Sequence, residues 1–191
     1  MHSFRDSPGL LFVALALSAC GAEQAPPAQA ERAAEPVQEA AESSCGDASY
    51  LQVVLAGALQ ASVELRNAAL RCESMARPDD RGVRMRFSGE VRGERLVVII
   101  AIPDLEPGVT GTDFDTIVTV TVEGSGRFFS TPNLGACWAD ILTNESLPGV
   151  PESYGVAGEL SCVGPLGEFN DDAFVEVREL RFSGVADWGK Q

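Results

Sequence analysis

The sequence predicts an all-β domain: a single antiparallel sandwich, jelly-roll-like or Ig-like, of about eight or nine strands. Three observations carry this expectation. Apolar residues recur with a period of two rather than about 3.6. Turn-forming residues interrupt the apolar runs at short intervals. Four cysteines, an even number, lie in the same stretch, as in exported domains stapled by disulfides.

The strands follow in order. Tyr50–Leu55 and Gln60–Leu65 read as a pair. Ala58–Ala69 is the only helix-like stretch, and Ser62-Val63-Glu64-Leu65 tips it toward strand. Val83-Arg84-Met85-Arg86-Phe87 alternates strictly, with both arginines on one face. Leu96–Ile100 is a continuous apolar run, which fits a central strand covered on both faces. Thr116–Val122 is β-branched and mostly alternating, and Ala136–Leu142, Tyr154–Ser161 and Phe174–Phe182 complete the set. The punctuation is Arg77–Gly82, Gly124–Gly126, Leu147–Pro151 and Asn170–Asp172.

Four cysteines allow three pairings. The midpoint between Cys137 and Cys162 falls at Gly149/Val150, inside a turn-rich stretch, so an antiparallel hairpin sets those two opposite each other. The midpoint of Cys45 and Cys72 falls at Ala58/Leu59 between two further strand-like runs. The expected bonds are therefore Cys45–Cys72 and Cys137–Cys162. A zinc site with four cysteine ligands would need close C-x-x-C pairs, and the sequence has none.

Ahead of the domain lie two short regions. Residues 10–19 are apolar or small, too short a run to span a bilayer but the length of a secretory signal core. The run ends Leu17-Ser18-Ala19-Cys20-Gly21. This ending resembles the bacterial lipoprotein box, in which small residues precede an obligatory cysteine. The resemblance implies a signal peptide over 1–19, cleavage before Cys20, and acylation of the Cys20 thiol and the new amino terminus. Two or three acyl chains suffice for stable anchoring. Gly21 in place of aspartate implies the outer membrane, by similarity to enterobacterial sorting. Residues 22–44 hold five acids, one base and a single large apolar side chain, Val37. Such a segment buries too little to offset its ordering entropy. With Cys20, residues 20–44 therefore read as a lipidated, Ala/Pro/Glu-rich disordered tether, and residues 45–191 as the β-sandwich domain.

The whole plan resembles uncharacterised Gram-negative bacterial lipoproteins with a small disulfide-linked β-sandwich domain. The Cys20 box, the acidic tether, the hairpin ending Arg127-Phe128-Phe129 and the Gly158–Cys162 strand carry that similarity. It implies location and fold, and it transfers no site.

Composition excludes several functions. The domain carries 22 acids and 12 bases, a net charge of −10, which argues against nucleic acid and against adsorption to anionic lipid. The only histidine is His2, within the signal, so His-dependent triads and His-ligated metals are excluded from the mature chain. The only lysine is Lys190, one residue from the end, which disfavours Ser-Lys or Schiff-base chemistry.

What remains are acids and aromatics. Asp104 and Glu106 share one loop, Asp113 and Asp115 the next, and Asn170, Asp171 and Asp172 a hairpin tip. Oxygen-rich loops at one end of a sandwich can bind calcium, with Asp113, Asp115, Asp171 and Asp172 as ligands. The competing reading is that Asp and Asn populate turns by bonding their own backbone. Two carboxylates alone would serve a glycosidase. Tyr50, Tyr154, Trp138 and Trp188 are all the tyrosine and tryptophan available, and both tryptophans read as packing residues. Gly124–Phe129 reads as a β-hairpin tip with one of Phe128 and Phe129 in the core, and a ligand-binding Arg127 is the alternative; Asn144-Glu145-Ser146 formally matches a glycosylation acceptor, which a bacterial lipoprotein has no use for. The expected function is a non-enzymatic binding or structural module on the cell envelope. The membrane would be a partner through the lipid, and an envelope protein or glycan would be the other. Calcium-dependent carbohydrate or protein binding, and a carboxylate-only glycosidase, are the alternatives.

Overall fold

The computed structural model describes residues 45–77 and 81–189. Cys20, the signal and the tether lie outside the described residues. Eleven strands form: β1 (Tyr50–Gly57), β2 (Ala61–Arg66), β3 (Arg71–Ala76), β4 (Val83–Val91), β5 (Glu94–Ile102), β6 (Gly111–Glu123), β7 (Arg127–Ser130), β8 (Cys137–Ser146), β9 (Ser153–Cys162), β10 (Leu166–Glu168) and β11 (Phe174–Asp187). All ladders are antiparallel. The stretch tipped toward strand divides in two: β2, then a 3-10 turn over Asn67–Ala69 in which Asn67 takes a positive φ of 51°.

Eleven strands occupy nine positions in the sheet. β7 and β8 lie in line along one side of β6, and β9 and β10 in line along one side of β11. Each pair is one long strand with an interruption, at 131–136 and at 163–165. The resulting order is β2, β1, β11, β9 with β10, β8 with β7, β6, β5, β4, β3. Neighbours in the sheet are neighbours in the chain, except where β1 meets β11 and the meander closes on itself. The sandwich is thus a rolled meander, without a Greek-key crossover among the described strands. β2 and β3 are its two edges.

The rolled sheet is flattened, and its layers cross rather than align. On β11, a Cβ added at Gly184 would stand 2.9 Å from Phe87 Cε1 and 3.1 Å from Met85 Cε, both on β4. Further along β4, a Cβ at Gly89 would meet Leu65 Cδ1 of β2 at 2.6 Å. One strand therefore runs over β11 and on to β2, as in orthogonal sheet packing. The Phe87 and Phe182 rings meet at the crossing with centroids 6.1 Å apart. Around them the inward residues of every long strand are buried, including Leu51, Val53, Met85, Val98, Ile100, Val120, Phe129 and Leu180. β5 is buried on both faces over most of its length, which explains its unbroken apolar run.

Two disulfides pin this arrangement. Cys137 and Cys162 are directly opposite in the β8–β9 ladder, at the point where both composite strands are interrupted. Cys45 bonds Cys72. Cys72 lies on β3, in the layer facing β1 and β2, so this bond ties the chain's entry to an edge strand instead of closing the β1–β2 hairpin.

The glycine-rich β6–β7 hairpin forms, and the structure corrects the alternative reading of Arg127, whose guanidinium is not open to a ligand. Nε donates to Glu168 Oε1 at 2.8 Å, Nη2 to Oε2 at 2.6 Å, and Nη1 to the Ala58 carbonyl at 2.9 Å. The same group lies over the Phe129 ring, 4.9 Å from its centroid. A planar fork matched to a carboxylate thus bolts β7, β10 and the β1–β2 turn together. The hydrogen bonds from Arg127 hold the Glu168 carboxyl below the usual glutamate range, against an opposing push from burial. A lowered folded value means that this stabilisation is complete above the ordinary glutamate value and is lost as pH falls through the lowered one. Glu168→Gln is therefore expected to melt earlier than the parent at neutral pH and to lose less on acidification. Thermal unfolding as a function of pH checks this; parallel curves for the two proteins would contradict it.

Candidate binding site

Three separate segments converge at one corner of the sandwich. They are the end of the β3–β4 loop (Arg81, Gly82), the β5–β6 loop (Asp104, Leu105, Glu106, Pro107), and Trp188 just past β11. Together they enclose a cavity of about 300 Å³. The other described concavities draw on fewer segments or lack an aromatic wall. One follows a single turn, from Ser146 to Tyr154, and another lies beside Cys162 and Pro165.

The walls are held from below. Leu105 is fully buried and plugs the β5–β6 loop into the core, so Asp104 and Glu106 on either side of it face outward. Asn144 on β8 is 4% exposed, and its Nδ2 donates to the carbonyls of Glu106 at 2.9 Å and Val109 at 2.8 Å. That side chain staples both ends of the turn, which closes with a Val109 N–H to Glu106 O hydrogen bond of 3.2 Å. Gly82 is obligatory here. Its φ is +75°, and any Cβ would overlap the carbonyl oxygens of Ile102 and Pro103, so the loop carrying Arg81 can approach β5 only through glycine. Trp188 packs against the core and edge-to-face on Tyr154, with centroids 5.2 Å apart, and its backbone N–H donates to Glu152 O at 2.9 Å.

The polar groups are of both signs. Arg81 Nη2 and Asp104 Oδ1 form an exposed ion pair at 2.9 Å. The Glu106 carboxylate has no hydrogen-bond or ion-pair partner among the described residues. Trp188 Nε1 is buried and has none either. A buried indole N–H without an acceptor is costly unless something supplies one. The corner therefore offers donors, acceptors and an apolar wall. Among its described lining residues none is a nucleophile paired with a base.

The other residues singled out in the sequence scatter. Asp113 and Asp115 are at the β8-paired start of β6, whereas Asp171 and Asp172 are in the β10–β11 turn at the other end of the sheet. The four calcium candidates are thus not brought to one end of the sandwich. Among the described residues no three His, Cys, Asp or Glu side chains cluster as a metal site. The local bonds give the reason. Asp113 stands at the irregularity in β6 with a φ of +60° and its N–H donated to Asp140 Oδ1 at 3.0 Å, whereas Asp171 Oδ1 accepts the Ala173 N–H at 3.3 Å in the β10–β11 turn. Trp138 is on the outward face of β8 between buried Cys137 and Ala139, not in the core. Asn144 is too enclosed, and its amide too engaged, to accept a glycan on the folded domain. Arg81 was not singled out at all; the sequence marks it only as part of a turn. The visible signal for this corner was Pro103-Asp104-Leu105-Glu106-Pro107, a large apolar residue flanked by acids and fenced by prolines within a loop. No family model, no curated protein and no solved structure matches this chain.

Proposed function

We propose that this chain is a lipid-anchored protein of the cell envelope whose β-sandwich domain is a non-catalytic binding module, with the Trp188 corner as its binding site. The convergence of three chain segments on one cavity with an aromatic wall and an exposed carboxylate, Glu106, without a partner among the described residues carries the binding reading. The Leu17–Cys20 box supports the anchor. Of the two acids at the corner, Asp104 is committed to Arg81, which leaves Glu106 alone; a glycosidase needs two carboxylates facing its substrate. Glu168, whose ionisation the fold does tune, is shifted downward, opposite to the direction a general acid needs.

The test of the anchor is fractionation of a Gram-negative host expressing the parent chain and Cys20→Ser. The parent is expected in the membrane fraction, resistant to high salt. Cys20→Ser is expected to accumulate as unprocessed precursor or to appear in the soluble fraction. Equal partitioning and equal processing of the two would overturn the reading.

A further inference from the structure

We propose that the Trp188 corner takes a neutral carbohydrate, with one sugar ring against the indole and its hydroxyls on Arg81, Asp104 and Glu106. This rests on the binding reading above and names its ligand class.

The chemistry of the walls selects among ligands. A sugar ring presents an apolar C–H face and a rim of hydroxyls that both donate and accept. The corner presents the matching set: the Trp188 indole and Pro107 as apolar surface, Arg81 as donor, and Asp104 and the unpartnered Glu106 as acceptors. An anionic ligand meets two carboxylates and only one guanidinium, which is already paired at 2.9 Å. A cationic ligand gains Glu106 alone, on an exposed surface where single ion pairs are weak. A hydroxyl pair can bridge the Arg81–Asp104 couple without separating its charges, so a neutral ligand keeps that interaction intact. The size agrees. About 300 Å³ is at the small end of small-molecule pockets, roughly 300–1,000 Å³, and suits one or two rings of a longer chain. The site is also preformed, since the Leu105 plug, the Asn144 staple and Gly82 set its walls without a ligand, which lowers the ordering cost of binding.

The experiment titrates the purified full-length mature chain, in detergent, by calorimetry and tryptophan fluorescence. The probes are N,N′,N″-triacetylchitotriose and maltotriose as neutral sugars and lysine amide as an ammonium ligand. At least one trisaccharide is expected to bind saturably in the millimolar range or tighter and to change the fluorescence. Trp188→Ala and Glu106→Ala are each expected to weaken it by about tenfold or more, the scale of a lost stacking surface or a hydrogen bond to a charged group. Glu106→Ala is a surface change that leaves the fold intact, so it decides the matter if Trp188→Ala does not fold. Sugar binding unaffected by Glu106→Ala and Trp188→Ala would overturn the assignment of the corner. Binding of lysine amide without either sugar would overturn the carbohydrate inference and keep the corner as a binding site. Binding of none of the three probes would overturn both, and the anchoring result would then stand alone.

Discussion

Phe87→Ala is expected to destabilise the domain by about 3–5 kcal/mol, the usual range for removing a fully enclosed phenylalanine. Phe87 has no exposed surface and stands where β4 crosses β11, its ring 6.1 Å from that of Phe182. Gly184 beneath it supplies no side chain to fill the space, and Met85 alongside is itself fully packed. The cavity is therefore bounded by β11 backbone at Gly184 and by the packed Met85 and Phe182 side chains and collapses poorly, which puts the cost toward the upper end of the range. A midpoint lowered by roughly 10 °C or more is the expected reading in a thermal scan. Phe128→Ala is the control. Phe128 is 42% exposed and touches Phe169 edge-on, so its loss should cost less than about 1 kcal/mol. Similar costs for the two would mean that the layers do not cross at Phe87.

Removing the Cys137–Cys162 bond is the second large effect. The bond closes a sequence separation of 25 residues, and the chain-entropy relation assigns such a loop about 3.5 kcal/mol. The location adds a local consequence. β7–β8 and β9–β10 are both interrupted beside this bond, and few ladder hydrogen bonds are available across the two gaps. Cys137→Ala/Cys162→Ala is expected to lower stability by about 3 to 4 kcal/mol. Amide exchange should accelerate first around 131–136 and 163–165, with the β4–β5 ladder holding its protection to the global limit. Uniform acceleration across the sheet would mean that the bond acts on the unfolded chain alone.

The period-two alternation around Val83–Phe87, the apolar run of β5 and the β-branched run of β6 were enough to read an antiparallel sandwich, because side-chain alternation is a local property of a half-buried strand. β3 and β10 were not legible. Arg71–Ala76 has few large apolar residues to show an alternation, and Leu166–Glu168, three residues long, becomes a strand only because β7 and β11 flank it. The interruptions at 131–136 and 163–165 hid that β7 with β8, and β9 with β10, each form one long strand. The partners of Arg127 could not be read either: Glu168 is 41 residues away, and the Ala58 carbonyl has no side-chain signature. The aspartates were legible only as two alternatives, calcium ligands or turn formers. Asp113 and Asp171 look like ligands by composition, but Asp113 stands at a bulge in β6 with its own N–H donated to Asp140, Asp171 accepts a backbone N–H in a turn, and the sheet carries the two to opposite ends. The corner itself was half visible. Asp104 and Glu106 could be seen as an acidic loop, but Arg81 and Trp188 join them only through the closure of the meander.

The most direct test of membrane anchoring, on which the functional reading depends, is intact and peptide mass spectrometry of the mature amino terminus from the native host membrane. A first residue of Cys20 carrying a thioether-linked diacylglycerol and an amide-linked acyl chain is the predicted result. An unmodified terminus, or a first residue beyond Cys20, would contradict it and make the domain a freely soluble or otherwise tethered protein.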